Sequence, residues 1–305
     1  MADLDPVLAK VLDAVPFRLT TDGGPELARQ RFAELPRAEV FPEVTTAEQS
    51  VSGPAGPVPV RIYRPPAEAS ALPVVVFIHG GGWSVGDLDT YDAAARLHAV
   101  RAEALVVSVD YRLAPEHPYP AAVEDVWAVT QWVAERADEI GGDAARVAVA
   151  GDSAGGNLAA VVAQQARDAG IPLRLQLLWY PSTTFDTSLP SFTENAEAPI
   201  LGVAECKAFT RWYVGDTDLT QPPATLVPAV GDLTGVAPAH IVVAGHDPLR
   251  DDGARYAQLL SSAGVDAALH TADTLVHGFL GYYGVVPAAT EVTDRALDAL
   301  RDALK

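Results

Sequence analysis

Cysteine is almost absent from this chain: Cys206 is the single one in 305 residues. No intramolecular disulfide can form, and no multi-cysteine metal site can be built. The neighbourhood Val203-Ala204-Glu205-Cys206-Lys207 has no glycine-rich or elbow-like setting, so the expected role of Cys206 is a small apolar filler, not a nucleophile. Long apolar runs are missing as well, and none approaches the roughly 20 residues needed to cross a bilayer. The start, Met1-Ala2-Asp3-Leu4-Asp5, lacks the basic opening and apolar stretch of a secretion signal. A cytoplasmic location without stable membrane association is the expectation. Basic charge is scarce too. Lys and Arg number 21 against 40 Asp and Glu, a formal net charge of −19, with no basic run to relieve it. Such a field repels nucleic acid and anionic surfaces, and a small neutral substrate fits it best. The acidity also aids solubility, which needs no functional cause.

What remains is an ordinary globular composition, 49% hydrophobic and 20% charged, on a chain long enough for a large core. Segments 58–63, 73–79, 104–109 and 146–150 read as strands, the last three apolar on both parities, as when both faces are covered. Segments 91–102, 120–138 and 155–168 read as helices among them. This β-α-β-α-β order predicts parallel strands with right-handed crossovers. Strand patterns resume at 173–179 and 240–243, helical ones at 251–263 and 291–303. Between them, residues 182–238 break the rhythm with repeated prolines around one helical pattern at 203–214. A span so long is an insertion, not a simple connection, and reads as part of a lid. Residues 1–45, with helical patterns near 4–14 and 25–34, are expected to join it above the sheet. Neither an internal repeat nor a low-complexity tail is visible.

Gly151-Asp152-Ser153-Ala154-Gly155 matches the nucleophile-elbow pattern G-x-S-x-G, and it stands between a strand and a helix-compatible run, as the elbow requires. A serine turned sharply off a strand is strained, and flanking glycines let neighbouring segments pass close by. The helix that starts there points free N–H groups at developing negative charge. His79-Gly80-Gly81-Gly82 directly follows the strand at 73–78, and its bare backbone can approach a carbonyl and stabilise an oxyanion. A serine hydroxyl needs a base oriented by a carboxylate, and in α/β-hydrolases the acid and then the histidine follow the serine in sequence. Four histidines follow Ser153. His240 and His270 lie in or beside strands, and His246 adjoins Asp247 too closely to pair with it. His277 is left, with Asp247 just beyond the strand at 240–243 as its acid and Asp251 or Asp252 as fallbacks. The stretch 110–125 carries Glu116, His117, Glu124 and Asp125, read as structural loop packing because one triad suffices.

His-Gly-Gly-Gly-Trp at 79–83, the stretch 110–125, Gly-Asp-Ser-Ala-Gly-Gly-Asn at 151–157, Asp247-Pro-Leu-Arg-Asp251 and His277-Gly-Phe279 together resemble the hormone-sensitive-lipase-like carboxylesterases, bacterial family IV, over residues 40–305. The resemblance implies an α/β-hydrolase fold: a mostly parallel central sheet flanked by helices, with a helical cap. On that scheme residues 1–45 begin the cap, 46–181 and 239–305 form the catalytic core, and 182–238 carry the cap helix. It also implies the triad Ser153, Asp247 and His277, and oxyanion donors from Gly81, Gly82 and Ala154. Asp152, not Thr, before the nucleophile places the chain in one subgroup. Gly245-His246 before Asp247 departs from the family, which more often has an acidic and then an aromatic residue there. The expected activity is hydrolysis of short- to medium-chain esters through an acyl-enzyme, with no metal or organic cofactor. Trp83, Asp152, Tyr180 and Val276, with Phe209, Trp212 and Tyr213 on the cap helix, are the candidate pocket residues. An amidase or peptidase would use the same triad, though the resemblance favours esters. Plant gibberellin receptors resemble the same family with a degraded triad, but here His277 is retained. A homodimer joined through an edge strand is the family's implied assembly.

Overall fold

One sheet of eight strands, ordered β1-β2-β4-β3-β5-β6-β7-β8, organises the computed structural model, which describes residues 2–37, 40–67 and 71–305. Its strands are β1 (Thr45–Gly53), β2 (Gly56–Arg64), β3 (Leu72–Ile78), β4 (Leu105–Val109), β5 (Gly142–Asp152), β6 (Gln176–Trp179), β7 (Ala239–His246) and β8 (Ala267–Val276). The helices are α1 (Pro6–Ala14), α2 (Pro25–Ala33), α3 (Asp92–Ala102), α4 (Ala121–Arg136), α5 (Ala154–Asp168), α6 (Pro190–Glu194), α7 (Val203–Val214), α8 (Arg250–Ser262) and α9 (Pro287–Ala303). No helix of the described residues is long and apolar enough to cross a membrane.

Among β3 to β8 every pairing is parallel, as the alternation of strands and helices predicts. The segment at 58–63 departs from that rule. As β2 it lies antiparallel to both β1 and β4, because a tight turn, and no crossover, joins it to β1. Strand β1 itself was not legible: only Val51 of its nine residues is buried, so it has no apolar alternation and owes its shape to pairing with β2.

Strand β3 explains how the layers form. Its seven residues are all buried, with Val74, Val76 and Ile78 entering one core and Val75 and Phe77 the other. Strand side chains alternate between faces, so an uninterrupted apolar run is the mark of a sheet covered twice. One face is closed by α4, α5 and α8 through Val126, Leu158 and Leu260, the other by α3 and α9 through Leu97 and Leu297. Each fully buried side chain of this kind stabilises the fold by about 1.5–3 kcal/mol.

A third cluster stands apart from both. Leu19 and Ala28 of the N-terminal segment pack there with Val85, Phe192, Leu201, Phe209 and Leu249, and the N–H of Leu19 donates to Ile200 O. The α1 helix behaves differently, sending Leu8 into the sheet core beside α3 and α9. The 182–238 segment is likewise divided. Phe192, Leu201 and Phe209 join the third cluster, whereas Leu226, Val227, Leu233 and Val236 return to the main core.

Candidate active site

Ser153 is the single residue between β5 and α5, held at φ 54° and ψ −115°. A side chain at positive φ costs about 1–2 kcal/mol, and hydrogen bonding and close packing keep it there. Its N–H donates to Trp179 O at 2.8 Å. Gly155 permits the approach: a Cβ at that position would collide with the carbonyls of Ile78 and His79 at the end of β3.

Two further strand ends deliver the partners. His277 follows β8 and Asp247 follows β7. His277 Nε2 lies 2.9 Å from Ser153 Oγ, and His277 Nδ1 lies 2.7 Å from Asp247 Oδ2. Asp247 is fully buried, and its other oxygen accepts the Leu249 N–H at 2.8 Å. Asn195 Nδ2 donates to the backbone oxygens of Asp247 and Gly245 at 3.1 and 3.3 Å, tying the acid loop to α6. With Nδ1–H given to a carboxylate, Nε2 carries the lone pair that faces the hydroxyl. That is the tautomer a general base needs.

The glycine run is clamped from several directions. Tyr111 Oη donates to His79 O at 2.8 Å, and its ring stacks on the imidazole at 4.3 Å and 15°. His79 Nδ1–H reaches Gly80 O at 2.8 Å; burial lowers the His79 pKa to about 4, so the ring is a neutral brace. Asp152 Oδ1 accepts the Gly80 N–H at 2.8 Å and Oδ2 accepts from Tyr91 Oη at 3.3 Å, while burial pushes the Asp152 carboxyl up to about 6. The amides of Ser84 and Val85 donate to Gly81 O. Gly81 and Gly82 adopt φ 97° and 58°. Among the described residues, no acceptor takes the N–H groups of Gly81, Gly82 or Ala154. Three free amides beside a nucleophile can stabilise developing oxyanion charge.

A cavity of about 470 Å³ opens over this floor, which Gly82, Trp83, Ser153 and Ala154 form. Of the residues proposed to line it, Trp83 and Phe209 do so; Asp152, Tyr180, Trp212, Tyr213 and Val276 do not. Asp152 is turned back onto the glycine run. Tyr180 lies under the imidazole, its ring 4.7 Å from that of His277. Tyr213 is fully buried behind Trp83, stacked at 4.4 Å and 3°. Trp212 packs edge-on against Phe209, and Val276 is buried in the sheet core. The remaining walls include Leu19, Phe185, Phe192, Leu201 and Leu249. No local pattern singles these out, because they converge from separate loops. Cys206 is also a wall residue, and burial pushes its thiol pKa up.

The fallback acids serve other ends. Asp251 accepts the Ser191 N–H at 2.9 Å. Asp252 Oδ1 accepts from the amides of Thr183 and Thr184 at 2.7 and 2.8 Å, and burial raises its pKa to about 6. The three other histidines that follow Ser153 stay clear of the serine. His246 ends β7, and burial lowers His240. His270 contacts Arg295 at 3.5 Å. In the stretch 110–125, Arg112 forks onto Asp125 at 2.8 and 2.9 Å and reaches Glu124 at 3.2 Å. Arg29 of α2 pairs with Glu116 at 2.6 Å, and the His117 side chain is exposed. These contacts brace the glycine run from outside: Arg29 also reaches Ser84 O and Ala114 O, and the Ala114 N–H donates to Trp83 O.

Comparison with known proteins agrees with this fold. The family model described as alpha/beta hydrolase fold matches residues 75–281. Esterase LipI of Mycobacterium tuberculosis is 59% identical, covering 98% of this chain and 94% of its own length. Carboxylesterase NlhH of the same organism is 56% identical over 99% of this chain and 97% of its own. The crystal structure of DphMB1 superposes with a TM-score of 0.97 at 66% identity, covering 99% of this chain and all of the other.

Proposed function

For a chain that belongs to the α/β-hydrolase fold family, and is a carboxylesterase of its hormone-sensitive-lipase-like branch, we propose a mechanism in which Ser153 attacks, His277 moves the proton and Asp247 steadies the imidazole. The hydrogen-bonded line from Asp247 Oδ2 through His277 to Ser153 Oγ, at 2.7 and 2.9 Å, carries the assignment. As Oγ bonds to the ester carbonyl carbon, Nε2 takes the hydroxyl proton. The carbonyl oxygen becomes an anion, held by the amides of Gly81, Gly82 and Ala154. The intermediate collapses, the bond to the alcohol breaks, and His277 returns the proton to the leaving oxygen. Water then attacks the acyl-enzyme by the same route and releases the acid.

The cavity suits a small ester. Its 470 Å³ volume and the Trp83 and Phe209 walls favour short- to medium-chain acyl groups over long lipid chains, within the range of small-ligand sites. Ser153→Ala, assayed with para-nitrophenyl hexanoate, tests the nucleophile. Turnover should fall by about six orders of magnitude, and a fluorophosphonate probe should label the native chain at Ser153 alone. A variant as fast as the native protein would reject the mechanism.

A further inference from the structure

The same cavity carries a charge that the overall composition hides. Lys207 and Arg211 of α7 both line it, and both are exposed. They stand four residues apart, on adjacent turns of one helix face. Cys206, Thr210 and Val214 form the neighbouring row of the same helix, and all of these residues share the lining of one cavity with Ser153.

These two groups are unusual in this chain. In a molecule of net charge −19, cations find acidic partners readily, and most here do. Among the described residues, Lys10, Lys207, Arg211 and Arg255 are the lysines and arginines with neither an ion pair nor a hydrogen bond. Two of them stand side by side on the cavity. The acidic residue that lines it, Asp252, directs Oδ1 to the Thr183 and Thr184 amides and forms no pair with either cation. Glu205, on the preceding turn of α7, is held by Arg18 at 3.0 Å.

We propose that Lys207 and Arg211 form an anion-recognising subsite, so that the preferred ester has an arm lying in this cavity that ends in a carboxylate or similar anionic group. This rests on the carboxylesterase reading and deepens it. The reacting carbonyl sits at Ser153, the apolar part of the arm lies against Trp83 and Phe209, and the anionic end meets the guanidinium and ammonium at the mouth. Thr210 lies between the two cations in sequence and supplies a hydroxyl donor on the same cavity lining. The neutral substrate suggested by net charge alone is thereby narrowed, because two unpaired cations a few ångströms from a bound anion outweigh a diffuse field screened over about 10 Å at 0.1 M salt.

The test compares kcat/KM for para-nitrophenyl half-esters of adipic and suberic acids with that for para-nitrophenyl hexanoate and octanoate. Butyrate esters of ω-hydroxy acids, set against butyrates of plain alcohols, probe the other arm. In Lys207→Gln/Arg211→Gln, the anionic-to-neutral ratio should fall by about tenfold for one of the arms, about threefold per cation, as for an exposed ion pair. Lys10→Gln removes one positive charge outside the cavity lining and should leave the ratio where it was. Lys207→Arg/Arg211→Lys should retain most of it. A ratio unmoved for both arms in the double variant, or moved equally by Lys10→Gln, overturns the subsite while hexanoate turnover still reports working chemistry. A protein that cleaves neither class of ester overturns the carboxylesterase reading and this one together.

Discussion

The floor of the site and its walls are built in different ways. On the floor, Ser153, Asp247 and His277 each stand one residue past a strand of the same sheet, and each is held by directional hydrogen bonds at 2.7–2.9 Å. Sheet pairing sets the spacing of those strand ends, so the three residues inherit the rigidity of the most buried part of the molecule. The walls come from α7, from the loops around α6 and from the N-terminal segment, joined by apolar contact in the third cluster. Apolar contact is non-directional, and it fixes a volume more than a position. The comparison teaches that chemistry and selection are separable here: floor substitutions should act on kcat, wall substitutions on which ester is chosen.

The largest effect that would sharpen this contrast is Asp247→Asn. The amide can turn its NH2 toward Nδ1 and favour the wrong tautomer of His277, so kcat should fall by about 10⁴ with the fold intact. Steady-state kinetics with circular dichroism as a control would check it. Next is Gly82→Ala. The added Cβ meets the Phe209 ring and displaces an amide from the oxyanion position, so kcat should drop by about a hundredfold with KM little changed. A change confined to KM would break the comparison, since it would make the glycine run a wall.

Asp252 crosses the divide, being a wall residue held by hydrogen bonds. Its folded pKa, about 6, lies above the ordinary 3.8 because burial disfavours the charge. The ionised form therefore costs stability as pH rises from about 4 through 6, and nothing is lost below that window. Asp252→Asn should raise stability by up to about 2–3 kcal/mol at pH 8 and leave it unchanged near pH 3, as read by urea melts at the two values. Smallest in energy is Phe209→Ala, a pure wall change. The native enzyme should prefer acyl chains between acetyl and octanoyl. In the variant that optimum should move to longer chains, with selectivity shifting by about tenfold and little effect on acetyl kcat, a difference worth about 1–3 kcal/mol per pocket contact. A palmitoyl optimum in the native protein would contradict the short-chain reading.

What could be read from the residues follows this same line. The elbow at 151–155 and the glycine run at 79–82 are local patterns attached to strand ends, and Asp247 and His277 become visible once the serine, acid, histidine order of α/β-hydrolases is laid over the strand ends. Parallel strands from β3 onward were legible for the same reason, since a strand buried on both faces must be apolar throughout. Strand β1 was not, because its shape comes from its partner. Most wall residues escaped too: Tyr180 flanks a motif and Tyr213 lies on the cap helix, yet both point into the packing behind the site, whereas Leu19, Phe185 and Phe192 line it without any sequence mark. The charge count also spoke for the molecule as a whole and was silent on where two unpaired cations would stand.

By itself, then, the sequence singled out Ser153, His277 and Asp247 and the layered sheet that carries them, because each stands within a few residues of a strand end. Only the tertiary structure decided the braces and the cavity. Asp152 meets Gly80, Arg29 meets Glu116, and Trp83 meets Tyr213 across long stretches of chain. Contacts of that kind depend on where whole elements come to rest, and non-directional apolar packing leaves no periodic signature from which the resting place could be read.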